Sequence, residues 1–287
     1  MHPPNDMLRF ENYMKAVKKE LGLGEEDLVF IGMADTASVR WCEQKAVYMN
    51  RKMELWFFRA FLEDIRSYAK KLGYIDREME LTARELLAIR RRISFNDIEK
   101  LLKEREPLSK ILEIPPIEGS TTNNALRLIE LIATGAPPLE VIKEIKHLPP
   151  GIQSEILECY MEMYPTIRWN FDWEDYIIVG VPDGITDRFV YEYKTVGNEW
   201  LLKWVKPVAM VQADIYGNFF RRREKRVQIM NREDGKIHTW HEEVDREAAL
   251  DALRRFREVE KGERKAVPPK EWKCKRCEFR SICTIRG

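Results

Sequence analysis

Residues 176–195 read YIIVGVPDGITDRFVYEYKT, and this stretch decides the fold. Its two runs, 176–181 and 188–194, are rich in β-branched and aromatic residues, a composition that suits a pleated, half-buried surface. Pro182-Asp183-Gly184 supplies turn chemistry between them, so the stretch predicts a β-hairpin. Asp183 falls just after the first strand, while Glu192 and Lys194 stand two apart on the second and share a face. A hairpin brings the three side chains into one small space. Two carboxylates offer hard oxygen ligands to Mg2+ or Mn2+, and an adjacent lysine can orient or deprotonate water. Together they point to metal-assisted phosphodiester hydrolysis. The same residues in isolation also fit a charged strand face. On strands this apolar, unpaired charge is expensive without a partner or a function.

Downstream, Gln212 and Tyr216 in QADIYG form an i,i+4 pair on one helix face. With that pair, VPDGITDRFVYEYKT followed by QADIYG resembles the RecB-type branch of the PD-(D/E)XK nucleases, whose motifs are G-x-x-D, E-x-K-T and Q-x-x-x-Y. The resemblance implies a restriction-endonuclease-like α/β fold with a mixed central sheet flanked by helices. It also implies metal ligation by Asp183 and Glu192, with the backbone carbonyl of Tyr193 facing the ion, and a catalytic role for Lys194. Gln212 and Tyr216 would position the DNA strand and the attacking water. The family usually carries a His, sometimes a Glu, on the helix before the first strand. Glu155 in GIQSE matches that spacing, and His147 just before the helix competes with it.

Outward from this centre, the run from Asn5-Asp6 to Leu21 predicts a helix closed by Gly22 and Gly24. Residues 28–31 read as a short strand, and Ser38 as the cap of a helix carrying Val39, Cys42, Ala46 and Met49. From Trp56 to Ile145 the pattern stays helical between breaks at Gly73, Pro107, 115–120 and 135–138. A helix over 152–163 leads into the decisive stretch. Helices follow over 199–223, with Pro207 as a break or fresh start. KRVQIMNR and KIHTWHEEV flank Glu233-Asp234-Gly235 as a second hairpin, and a helix over 245–261 precedes a Cys-rich tail.

Cys274, Cys277 and Cys283 form C-x2-C-x5-C in that tail, a spacing that lets several thiolates converge on one metal centre. Cys42 is the better fourth candidate, because Cys159 lies on an apolar helical face where a free Cys acts as a small hydrophobe. Such a set also suits Zn2+. A distant N-terminal Cys, a RecB-type core and three C-terminal Cys resemble the iron–sulfur nucleases: the CRISPR-associated protein four family, the nuclease domain of the Dna-two helicase-nucleases and the AddB subunit. That resemblance implies a 4Fe-4S cluster held by Cys42, Cys274, Cys277 and Cys283. It divides the chain into an N-terminal helical part (1–53), a helical insertion (54–148), a nuclease core (149–263) and an iron–sulfur segment (264–287).

The 287 residues hold 49 Lys plus Arg against 48 Asp plus Glu, a net charge of +1, so nucleic-acid binding needs a local patch rather than a basic whole-protein field. Arg221, Arg222, Arg223, Lys225 and Arg226 form one basic run, and Lys273, Lys275, Arg276 and Arg280 interleave with the cysteines. Tyr13, Trp41, Trp200 and Trp204 are candidates for base stacking, although aromatics at this density are more often core. No stretch approaches the run of about 20 apolar residues that a spanning helix needs, and the start lacks a basic then apolar leader. The expectation is a soluble, cytoplasmic DNA exonuclease preferring single strands, with CRISPR adaptation or repair proteins as partners. The competing expectation is a non-catalytic DNA-binding or assembly module.

Overall fold

A computed structural model describes residues 15, 16, 18, 19, 29–76, 81–107, 122–283 and 285. In chain order the elements are β1 (Phe30–Gly32), α1 (Met33–Ala37), α2 (Glu43–Lys71), α3 (Ala83–Arg90), α4 (Phe95–Lys103), α5 (Thr122–Ala133), α6 (Pro138–Ile145) and α7 (Pro150–Leu157). They continue with β2 (Trp169–Trp173), β3 (Tyr176–Gly180), β4 (Gly184–Ile185), β5 (Phe189–Val196), α8 (Glu199–Phe219), β6 (Glu224–Asn231), β7 (Ile237–Glu243), α9 (Arg246–Glu260) and α10 (Glu271–Lys275). The chain is mixed α/β. No described helix is long and apolar enough to cross a membrane.

The chain divides into two compact units. The first comprises Met1–Arg105, Ile167–Val181 and Asp251–Gly287; the second comprises Glu106–Thr166 and Pro182–Leu250. This division follows other bounds than the expected segments. The helix α2 runs through the boundary expected at residues 53 and 54, and the stretch read as one helical insertion is shared between the units. Of the helix expected from Asn5 to Leu21, residues 15, 16, 18 and 19 are helical and the rest lie outside the described residues, as does Tyr13.

In the first unit, β3 is the middle strand of a three-stranded sheet, parallel to β1 and antiparallel to β2. That place explains why all five residues of YIIVG are buried. The long helix α2 packs on the sheet through Phe58 and Phe61, whose rings each lie 5.3 Å from that of Phe30. A β-carbon on Gly32 would stand 2.3 Å from the Phe57 ring, so only glycine allows this approach. Asn50 on α2 closes the strand end, accepting from the Gly32 amide at 2.8 Å and donating to the Phe30 carbonyl at 3.1 Å. Ser38 begins a 3-10 turn rather than a helix, and α2 starts only after Cys42.

The second unit holds a four-stranded sheet in the order β4-β5-β6-β7, with β5 parallel to β6 and the other pairs antiparallel. Parallel neighbours need a crossover, which α8 provides. Asn198 caps α8 by accepting from the Leu201 amide at 3.1 Å, and the helix runs unbroken through Pro207. The hairpin expected at Glu233-Asp234-Gly235 joins β6 to β7, with Gly235 at φ +74°. The hairpin expected over 176–194 does not form. The partners of β3 are β1 and β2, whereas those of β5 are β4 and β6, so the single central sheet becomes two. On one face of β5, Tyr191 and Tyr193 join Leu157, Ile145 and Met230 in the core.

Candidate carboxylate–lysine active site

Alternation along β5 turns Tyr191 and Tyr193 into the core and sends Glu192 and Lys194 to the opposite face, under α8. Glu192 is 0% exposed, and its Oε1 lies 2.5 Å from the Lys194 ammonium. Its Oε2 accepts from Gln212 Nε2 at 3.0 Å, and the same amide nitrogen donates to the Tyr216 hydroxyl at 3.3 Å. The i,i+4 pair of α8 is therefore brought to the carboxylate. Asp183 Oδ2 accepts from the backbone N–H of Tyr193 at 2.7 Å, which fixes the acid beside the same strand. Gly184, next to Asp183, leaves room for Tyr164, whose β-carbon would stand 2.7 Å from a β-carbon there.

Burial pushes Glu192 up to about 8; Lys194 opposes the shift, and Asp183 and Glu158 add to it. For Lys194 burial disfavours the charge, but Glu192, Asp183 and Glu158 together outweigh it and raise the ammonium above the ordinary lysine value. The third carboxylate acting here is thus Glu158, in the 3-10 turn Glu158–Tyr160 after α7. Glu155 and His147, the two upstream candidates, are both exposed. The helix carrying Glu155 is expected to run to residue 163. The helix ends at Leu157 instead, where the Leu157 carbonyl accepts from the Tyr193 hydroxyl at 3.0 Å.

Asp183 and Glu192 suit a hard divalent cation in kind. The Oε1 atom of Glu192 is buried and meets the Lys194 ammonium. Among the described residues no group of three or more His, Cys, Asp or Glu stands ready to hold an ion. Mg2+ commonly uses one or two carboxylates and retains its waters, so this donor set matches that habit.

Most of the basic run serves the fold. Arg221, at φ +55°, follows the end of α8, and Arg222 donates to the carbonyls of Thr186 at 2.6 Å and Phe220 at 2.7 Å. Lys225 is buried 2.5 Å from Asp214, and Arg226 pairs with Glu162. Arg221 and Arg223 are exposed. Arg222 and Lys225 are therefore committed inside the protein, not to phosphates.

In the first unit, Cys42, Cys274, Cys277 and Cys283 line one pocket together with Trp41 and Lys273. All are free thiols. Burial raises the Cys42 thiol, the backbone N–H of Lys45 opposes the shift, and Cys283 and Cys274 add to it, so a cation in the pocket would favour the thiolate. Lys273 donates to the Trp41 carbonyl at 3.0 Å and lies 4.4 Å from its ring centre, which spends that basic group on the pocket wall. Lys275 pairs with Glu271 at 3.2 Å, while Arg276 and Arg280 are exposed. Cys159 packs against the core of the second unit.

No family model and no curated protein matches the chain. A solved structure described as the crystal structure of SSO0001 is similar at 17% identity and a TM-score of 0.37, over 66% of this chain and 97% of that one. A likeness that loose names neither a family nor an activity.

Proposed function

We propose that the protein is a Mg2+- or Mn2+-dependent deoxyribonuclease, an exonuclease preferring single strands, of the restriction-endonuclease-like RecB type. The observation that carries this reading is Glu192, fully buried yet held between Lys194 and Gln212, with Asp183 bonded to the backbone of the same strand at Tyr193. Unpaired burial of a carboxylate is costly, and here the surroundings keep it oriented. Asp183 and Glu192 would hold the cation, which supplies Lewis-acid stabilisation of charge on the phosphate when bound. Lys194 would orient the water whose oxygen attacks phosphorus as the bridging P–O bond breaks, the water giving up a proton to solvent and the departing oxygen taking one from it. Gln212 holds the Glu192 oxygen in place, and Tyr216 accepts from Gln212.

Cys42, Cys274, Cys277 and Cys283 are proposed to hold a structural 4Fe-4S cluster, because four thiols from distant positions line one pocket. Cytoplasmic CRISPR adaptation or DNA repair is the proposed setting. End-labelled single- and double-stranded DNA with Mn2+ tests the activity: Asp183→Ala and Lys194→Ala are expected to lose cleavage. Full metal-dependent cleavage by either variant would remove the site assignment. A brown protein with iron–sulfur absorbance supports the cluster, and stoichiometric zinc without iron replaces it.

A further inference from the structure

The register of the second sheet carries the catalytic face beyond β5. Glu192 lies opposite Val227, which lies opposite Trp240; Lys194 lies opposite Ile229, which lies opposite His238. Cross-strand partners point to the same face, so His238 and Trp240 share the face of Glu192 and Lys194 with one strand between. At a strand spacing of about 4.8 Å, they stand roughly 10 Å away.

The first half of α8 surrounds these rings with basic and aromatic side chains. Lys206 lies 4.5 Å from the Trp240 ring centre, and His238 stacks on Trp240 with 11° between ring planes. Lys203 lies 5.1 Å from the ring of Trp200 and 5.6 Å from that of Trp204. Trp200 is 49% exposed. The acid beside the cluster, Glu199, meets His238 at 3.2 Å. A half-exposed indole at Trp200 and a partly buried one at Trp240, each with an ammonium group at its face, match the chemistry of a single-stranded nucleic acid, in which bases stack on rings and phosphates meet cations. A duplex hides its base faces and fits poorly.

We infer that Trp200, Lys203, Lys206 and Trp240 form a stacking platform that seats single-stranded DNA beside the Glu192–Lys194 site. This deepens the nuclease reading and rests on it for the identity of the strand. The platform accounts for one tryptophan at the start of α8 and another on the edge strand β7.

Fluorescence anisotropy of a labelled single-stranded oligothymidylate, titrated with the full chain in EDTA, tests the platform without hydrolysis. Trp200→Ala and Trp240→Ala are each expected to weaken binding about tenfold, while Trp200→Phe keeps most of it. Lys203→Gln and Lys206→Gln are each expected to flatten the slope of log affinity against log salt by about 0.7. Trp200 is half exposed, so its replacement leaves the core intact and decides the matter even where Trp240→Ala folds poorly. Unchanged affinity in Trp200→Ala, equal loss on a duplex of the same length, or no single-strand binding by the unaltered protein overturns the platform. Cleavage in Mn2+ reports separately: tryptophan-dependent binding without cleavage sinks the nuclease reading alone, and cleavage with tryptophan-independent binding sinks the platform alone.

Discussion

Gln212 donates from one amide nitrogen to Glu192 on β5 and to Tyr216 one turn further along α8. The helix thereby supplies a side-chain hydrogen bond to one oxygen of the buried carboxylate, while the ammonium of Lys194 meets the other. A buried acceptor stripped of its donor carries its desolvation penalty unrelieved. Gln212→Ala is expected to lower stability by about 1–3 kcal/mol. In urea denaturation the midpoint should fall with an unchanged slope. Cleavage should lose kcat more than it changes KM, because the residue's hydrogen bond orients the Glu192 carboxylate. An unaltered kcat would detach Gln212 from the chemistry.

The raised Glu192 carboxyl, at about 8, makes cation binding pH-dependent. Between about pH 4.5 and 8 the folded, metal-free chain keeps a proton that the unfolded chain has lost. Its contribution to stability is therefore present at low pH and falls as pH rises through that window. A cation needs the carboxylate and expels the proton, so Mn2+ affinity should rise about tenfold per pH unit up to the Glu192 value and then level. Calorimetry in buffers of different ionisation enthalpy counts the proton directly. Release of no proton at pH 6 would place the cation away from Glu192.

The parts legible in the sequence are those whose geometry is local. Glu192 and Lys194 share a face because they are two apart on a strand, and Gln212 and Tyr216 share one because they are four apart on a helix. Strand pairing is not local. β3 finds β1 147 positions upstream, a pairing that no turn signal announces. β2, WNFDW, shows the alternation of a strand but was hidden by its shortness and by two polar residues; Asn170 and Asp172 are taken up by Arg90 of α3. Glu158 was missed because its place depends on where α7 stops, and that is set by packing of Leu157 and Tyr193 in the core.

Asp35 in α1 gives a second titration, in the first unit. Burial alone raises its carboxyl to about 6 from 3.8. Below the unfolded value both states hold the proton and the acid costs nothing. As pH rises through about 4 to 6 the folded state loses stability relative to the unfolded one, by roughly 3 kcal/mol at neutral pH. Asp35→Asn should therefore melt close to the unaltered chain at pH 4 and above it at pH 7.5. Equal melting temperatures at both pH values would show that Asp35 is solvated.

Lys225 belongs to a basic run that invites a DNA-contact reading, yet it is 3% exposed and paired with Asp214, whose Oδ1 also accepts from the Asp245 amide at 2.7 Å. A buried pair broken on one side leaves an uncompensated charge, so Lys225→Met is expected to cost about 3–5 kcal/mol. Removing both charges together, in Asp214→Leu with Lys225→Met, should recover much of that loss, since an apolar pair of similar volume needs no compensation. The recovery would be partial, because the Asp245 amide loses its acceptor. At temperatures where both proteins are folded, the double variant should bind single-stranded DNA with the salt slope of the unaltered chain. A slope lower by about 0.7 would mean that Lys225 leaves its pair to meet a phosphate.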